Sequence, residues 1–376
     1  MIVRKFGCII LLIIVVSVSA AGESGCRFRG NYGKYQAEFA ELFDTITTVV
    51  GYAKSEKEFN GYANIIYDRM KELDRLYDIY NGYDGINNLY TVNENAGVAP
   101  VTVSRDIIDL LVFAKNGYAL TNGTVNVAMG SVLSIWHNYR EAGINDEESA
   151  ELPPMDMLEQ AAKLTDIDDL VIDDVNNTVF LKKTGMSLDV GGVAKGYAAG
   201  KAAQAAKEAG LTSALIDAGG QVVSIGKPMD GVRERWGVGI QNPDLSVDGV
   251  RNILDTVYLN DNVISCSGNY QRFYVVDGEV YCHIIDPSTL MPARIYKQVA
   301  VIYPDSVTAD LLSTALFIMP YEEGAALAVQ IGAEVLWEFA DGTQKATDGY
   351  IRISKNLGNY SSTDKDKDKD KNSDTD

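Results

Sequence analysis

The sequence predicts an α+β fold, a mixed β-sheet with flanking helices. Three observations predict it. Apolar residues recur at helical spacing in long stretches, as in Glu56–Ile79 with Phe59, Tyr62, Ala63, Ile66, Met70, Leu73 and Leu76. Alternating runs are joined by turn pairs, Asn176-Asn177 inside Leu170–Leu181 and Asp277-Gly278 between Phe273–Val276 and Glu279–Asp286. At the centre, Ser187–Gly210 reads as a strand end, a Gly191-Gly192 turn and an Ala-rich helix stopped at Gly210.

The ends stand apart from this fold. Residues 1–21 read as a secretory signal: Arg4 and Lys5, the apolar run Cys8–Val18, then the small residues Val18-Ser19-Ala20. The run is short for a membrane span, so the chain is expected to be exported and associated with the cell envelope. Ser24-Gly25-Cys26 resembles the approach to a lipid-modified Cys, with cleavage or an uncleaved anchor as alternatives. Residues 22–39 are read as a linker and 40–355 as one domain. From Asn356 the Ser, Thr and alternating Asp-Lys of 356–376 have no apolar anchor and read as a disordered tail.

Ala40–Val50 alternates into a β-branched run and is the first strand; Glu56–Ile79 is the helix packed on it. A turn-rich loop follows at Tyr80–Asn88, and a polar loop runs to Pro100. Ser104 caps a helix to Thr121 with Asp106 in its first turn. Asn122–Ser134 is rich in small residues, a place where two backbones or a ligand approach closely. Ile144–Pro154 is an acidic insertion and Met155–Leu164 a short helix. Ala214–Gly226 is a buried strand interrupted by Asp217-Ala218-Gly219-Gly220. Trp236–Ile240, Asn252–Leu259, Val263–Gly268, Gln298–Tyr303, Glu334–Phe339 and Ile351–Ile353 read as strands, Thr308–Met319 and Glu322–Gly332 as helices.

Composition narrows function. The formal charge of −19 over 376 residues argues against a nucleic-acid partner, and any anion site must be locally basic or use a metal. Outside the signal only Cys26, Cys266 and Cys282 remain, too few for a disulfide framework. The hairpin turn at Asp277-Gly278 sets Cys282 opposite Phe273, so a Cys266–Cys282 bridge is not favoured.

Four stretches carry chemistry. The Gly191-Gly192 turn opens a helix whose first amides could hold a phosphate, and Lys195 adds a charge there against the dipole's preference; an ordinary turn with a solvated Lys is the alternative. Asp217 interrupts an apolar strand, either satisfied by turn amides or part of a site. In YCHIIDP, His283 is a structural histidine or a base at neutral pH, with Asp286 able to orient it. In TADLLSTAL, Thr308 and Asp310 suit a helix start. Yet Asp310 and Thr314 at i and i+4 share one face, and oxygen donors of this kind suit Mg²⁺.

Together SLDVGGVAKGYA, SGNYQRF, HIIDP and ADLLSTAL, in this order, resemble the ApbE family, over about Ala40 to Ile353. The resemblance implies Mg²⁺-dependent FAD:protein FMN transfer in the cell envelope. FAD would be cut at its pyrophosphate and FMN joined through a phosphoester to a Thr or Ser of an acceptor, releasing AMP. The acceptor would be an exported or membrane electron-transfer subunit. By position, the metal ligands would be the Ala194 carbonyl, Asp310 and Thr314, with Ser313 adjacent. Gly191, Lys195 and Tyr197 would touch the nucleotide, and His283, Ile284 and Ile285 would run along it, with His283 as the catalytic base. Thr45 matches the family's first strand. Tyr80 and Asn81 fall in the loop that reaches the flavin, and Asn126, Ala128, Met129 and Gly130 in the stretch before Ile135-Trp136. Gln221 departs from the usual acidic residue or Asn, and Leu290 from the usual Gly. An FAD pyrophosphatase and a non-catalytic flavin-binding protein are the alternatives. With His283 as base, the rate is expected to rise with pH through the histidine range.

Overall fold

The computed structural model describes residues 32–244 and 252–364. The signal segment, Cys26 and residues 365–376 lie outside them. The chain opens on β1 (Gly33–Leu42) and β2 (Thr45–Ala53), which pair antiparallel around Phe43 and Asp44, both at positive φ. Part of the expected linker is therefore strand. Half-buried Tyr35, Ala37 and Phe39 alternate with exposed Lys34, Gln36 and Glu38, the period-two signal of a sheet edge. α1 (Glu56–Tyr77) begins at Ser55, whose side chain accepts the Glu58 amide. A short α2 (Leu89–Glu94), capped by Asn88, stands where a polar loop is expected. β3 (Val101–Thr102) and α3 (Arg105–Leu120), capped by Ser104, follow. α4 (Gly130–Asn145) and α5 (Met155–Ala162) precede β4 (Leu170–Asp173) and β5 (Thr178–Leu181), the hairpin that Asn176-Asn177 predicts.

Ser187–Val190, expected as the end of a strand, is in no sheet. Asn93 accepts the Leu188 amide and donates to the Leu188 carbonyl, and the Asp189 amide donates to Val127. α6 (Ala194–Glu208) follows it. Next come β6 (Ala214–Ala218), β7 (Gln221–Ile225), β8 (Trp236–Gln241), β9 (Ile253–Leu259), β10 (Val263–Gly268), β11 (Phe273–Val276) and β12 (Glu279–Cys282). Cys282 faces Phe273 as the hairpin predicts, and Cys266 and Cys282 are free thiols.

The chain closes with β13 (Tyr296–Tyr303), α7 (Ser306–Ile318), α8 (Tyr321–Ile331), β14 (Glu334–Phe339), β15 (Gln344–Ala346), α9 (Asp348–Ile353) and α10 (Lys355–Gly358). The expected strand Ile351–Ile353 is the end of α9. Thr347 accepts the Tyr350 amide and Asp348 suits the first turn, and these caps outweigh two β-branched residues.

Eight strands form the main sheet in the order β1-β2-β6-β7-β10-β13-β14-β15. The fold is α+β, and every pairing in the sheet is antiparallel rather than mixed. One crossover helix would return the chain parallel. Between β13 and β14 the chain runs through two helices, α7 and α8, and comes back antiparallel. Alternation divides the sheet. Val49, Ile216, Val223 and Val263 face the helices with Phe59, Ile66, Ala199 and Ala203. Val50, Leu215, Val222 and Ile264 face the β8–β9 ribbon with Trp236, Val238, Val257 and Leu259.

α6 carries buried Ala198, Ala199, Ala202, Ala203 and Ala206, so it lies close between α1 and α7. Residues 356–364, the described part of the segment read as a disordered tail, belong to the fold. The buried Asp255 carboxylate accepts from Tyr350 Oη, Ser354 Oγ and the Asn356 amide, and the Glu234 amide donates to the Ser362 carbonyl. No helix among the described residues is long and apolar enough to cross a membrane.

Candidate active site

The ends of α6 and α7 meet at Gly196. A Cβ there would lie 2.5 Å from Asp310 Cβ and 2.6 Å from the Ser306 carbonyl oxygen. Glycine alone allows the Gly196 amide to donate to Asp310 Oδ2 at 2.8 Å. Asp310 is 5 % exposed, and its other oxygen has only a long 3.4 Å approach from Ser265 Oγ. Ser313 Oγ donates to the Asp310 carbonyl and lies 3.1 Å from Ser265 Oγ and 2.9 Å from Ser267 Oγ. Three serines from α7 and β10 thus brace the turn that bears Asp310.

Two expectations change here. The cap of α7 is Asp305, whose carboxylate takes the amide and hydroxyl of Thr308. Asp310 therefore sits a turn further in, buried, where a helix-start role does not explain it. The start of α6 is also not an open phosphate cradle. The Val193 and Ala194 amides donate to the Val190 carbonyl, Gly191 N–H to Asp189 Oδ1 at 2.8 Å, and Gly196 N–H to Asp310. A helix terminus satisfies its orphan amides with whatever acceptor is nearest, here the protein's own carboxylates.

Lys195 answers those carboxylates. Its Nζ donates to the Gly219 carbonyl at 3.3 Å, and it carries a charge facing Asp310 and Asp217. Burial lowers the Lys195 ammonium and raises Asp310, and each charge partly offsets the other's shift. Asp217, on the face away from α6, is pushed up to about 6 by burial, against the Gly220 amide at 3.1 Å and Lys195. Thr45 packs on Gly219, so the first hairpin joins this group. Thr314, half-buried, faces Gly192, whose Cβ position is 3.6 Å from its Oγ1. Cys266 lies beside Asp217 and Lys195, and burial pushes its thiol up to about 12, away from nucleophilic reactivity.

His283 follows β12. Its amide donates to the Arg272 carbonyl at 3.0 Å, and Nδ1 lies 3.2 Å from the same oxygen. A carbonyl only accepts, so Nδ1 carries the proton and Nε2 keeps its lone pair. Burial, with Arg272, Arg140 and Lys195, pushes His283 down to about 3. It is neutral across the physiological range. Asp286 does not orient it: its Oδ1 accepts from the Ser288 amide and hydroxyl within its own turn. That turn ends at Leu290 with φ 60°, the left-handed region that favours glycine, and the Leu290 carbonyl accepts from Trp136 Nε1 at 2.9 Å.

The other expected residues divide. Tyr80 is exposed and its ring meets that of His137 at a tilt, centroids 5.2 Å apart. Asn81 is spent on Asp78, which takes both its amides. Asn126 caps Ala128 and donates to Thr165, and Ala128, Met129 and Gly130 are buried. The close approach there is backbone to backbone: a Gly130 Cβ would lie 2.5 Å from the Ser187 carbonyl oxygen. Gly191 is exposed. Ile284 and Ile285 are core residues on either side of the chain. Tyr197 meets the ring of Tyr77 edge-on and packs towards α1 and α3, away from Lys195. Residues not singled out by sequence also belong here: Asp189, Ser265, Ser267, Arg140 and Arg272. Gln221 donates to the Ser306 carbonyl and hydroxyl, tying β7 to α7.

Comparison with known proteins matches this chain to the ApbE family model over residues 43–337. An FAD:protein FMN transferase of Treponema pallidum is 34% identical over 276 residues, covering 70% of this chain and 74% of that protein. One from Klebsiella pneumoniae is 29% identical over 260 residues, covering 67% and 77%. The crystal structure of the ApbE protein of Thermotoga maritima superposes with TM-score 0.73 at 28% identity, covering 85% of this chain and 99% of that one.

Proposed function

The chain belongs to the ApbE family, and on that premise we propose that it is an FAD:protein FMN transferase. It cuts FAD at the pyrophosphate and passes FMN to a Thr or Ser hydroxyl of an acceptor protein, releasing AMP. The observation that carries this reading is the start of α6, where the Gly196 amide donates to the buried Asp310 at 2.8 Å and the adjacent Lys195 places its Nζ 3.3 Å from the Gly219 carbonyl. A cation next to a buried carboxylate, with a neutral base within the reach of that cation's field, suits phosphoryl transfer.

In this reading His283 Nε2 removes the proton of the acceptor hydroxyl as its oxygen attacks the FMN phosphorus. The bond from that phosphorus to the bridging oxygen breaks, and AMP leaves with the electron pair. Lys195 faces the charge that gathers on the phosphates. Asp310, Thr314 and the Ala194 carbonyl, with Ser313 adjacent, are the residues that would hold Mg²⁺. The fit rests on hard oxygen donors and on Asp310 Oδ1, which has only the 3.4 Å contact. Among the described residues no three His, Cys, Asp or Glu side chains could hold a metal, so the cation would rely on one carboxylate and neutral oxygens. When bound, Mg²⁺ supplies charge neutralisation at the pyrophosphate. The acceptor is in this reading an exported or membrane electron-transfer subunit, and the enzyme works outside the cytoplasm, in keeping with the apolar run Cys8–Val18.

The test supplies FAD, Mg²⁺ and a candidate acceptor to the parent and to Asp310→Asn, and measures AMP and protein-bound flavin. The parent is expected to give both. Asp310→Asn is expected to bind FAD and release AMP slower by orders of magnitude. AMP without bound flavin would make it a pyrophosphatase; tight FAD without AMP would make it a binding protein. An unchanged rate in Asp310→Asn at limiting Mg²⁺ would remove the metal role.

A further inference from the structure

We propose that Arg140 and Arg272 form a cationic pair that holds the FMN phosphate of bound FAD beside His283. The assignment rests on the transferase reading. Arg272 stands just before β11, and its carbonyl accepts both the amide and Nδ1 of His283. The residue that bears the guanidinium is thus fastened to the residue that bears the base. Arg140 comes from α4, and its Nη2 lies 2.8 Å from Nδ1 of His137, whose ring in turn meets the exposed ring of Tyr80.

The pair is notable for what surrounds it. The sequence has 52 Asp and Glu against 33 Lys and Arg. Among the described residues Arg69, Arg105, Arg233 and Arg294 each reach a carboxylate, whereas Arg140 and Arg272, like Arg75 and Arg352, are in no ion pair; of these four only Arg140 and Arg272 face His283. Glu141 faces Arg140 from the same helix, and Asp189, which accepts the Gly191 amide, faces both guanidiniums. Two guanidiniums in no close ion pair, beside a neutral imidazole, make a locally basic spot on an acidic chain, which is what an anion site needs. Guanidinium presents a planar fork that matches phosphate oxygens.

The groups facing His283 are Arg272 from the β11 hairpin, Arg140 from α4 and Lys195 from α6. A phosphate bound between the guanidiniums would meet a neutral imidazole. The arginines would therefore serve twice, gripping the transferring group and keeping the base unprotonated.

The test uses the full chain with Arg272→Gln, Arg140→Gln and Arg272→Lys. Binding of FAD, FMN and riboflavin is followed by flavin fluorescence, and AMP release across pH by kcat/KM. Each Gln variant is expected to weaken FAD and FMN roughly tenfold to a hundredfold and to leave riboflavin, which has no phosphate, unchanged. Arg272→Lys is expected to recover part of the loss. Arg140→Gln is also expected to move the acidic limb of kcat/KM towards neutrality, because His283 loses a neighbouring cation. Arg272 is exposed, so its substitution leaves folding intact. Parent-like FAD and FMN binding in both Gln variants would overturn the assignment, as would a parallel loss of riboflavin. A parent that binds FAD but releases no AMP would sink the transferase reading and leave the phosphate pair to stand or fall on the binding series.

Discussion

The Gly196 amide donates to Asp310 across 2.8 Å, and this bond decides how α6 and α7 meet. It ties the start of one helix to the second turn of the other. It also leaves one oxygen of a buried carboxylate turned to Ser265 and the space beside Lys195.

Gly196→Ala would press a methyl into Asp310 and the Ser306 carbonyl. The expected cost is about 1–3 kcal/mol of stability, as for overpacking elsewhere. FAD cleavage should fall further than the loss of folded protein explains. Chemical denaturation and AMP release on the same preparation check this, and parent-like values in both would show that the helices can part at no cost.

Asp217 makes stability depend on pH with a definite sign. Its folded pKa of about 6 lies above the ordinary 3.8. The folded state therefore binds the proton more tightly, and this contribution is present below pH 4 and lost as pH rises to about 6. The shift is worth on the order of 3 kcal/mol. Asp217→Asn should remove that part of the pH dependence. Denaturation midpoints of the parent and variant that stay parallel between pH 4 and 7 would contradict it.

His283→Asn should fold, bind FAD and flavinylate an acceptor at least about a hundredfold more slowly. The expectation of a rate rising through the histidine range does not survive the structure. With His283 near 3, kcat/KM of the parent should be flat from pH 5 to 8 on the acid side, since this ratio reports the free enzyme. A clear inflection near pH 6.5 would mean that the imidazole is not held in this cationic setting.

A chain ending at Asp364 should match the full chain in folding and turnover. A chain ending at Ser354 should not, because Asn356 donates its amide to the buried Asp255 and its side chain to Leu254. The loss expected from those bonds is about 1–3 kcal/mol. Thermal unfolding of the two truncations against the parent distinguishes them, and equal midpoints would mean the C-terminal segment carries no stability.

Much of this molecule was determined by its sequence alone. Helices α1 and α3 carry apolar stripes and side-chain caps at Ser55 and Ser104, and local signals of that kind need no partner to be read. The hairpin register of Cys282 against Phe273 follows from a two-residue turn, and the family follows from motifs in order. The departure at Leu290 likewise marks a position that the fold holds at positive φ. Which groups meet depended on packing between distant parts of the chain. Asp305 rather than Thr308 caps α7, because three carboxylates and hydroxyls compete within one turn and geometry selects among them. The Gly191 amide of the glycine turn is taken by Asp189, two residues before it, and the Gly196 amide of α6 by Asp310, 114 residues away. Arg140 and Arg272 come from separate elements and have no spacing to betray them. Charge, burial and proton affinity depend on distance through space, and a linear order of residues carries that information only where the chain folds back on itself within a few residues.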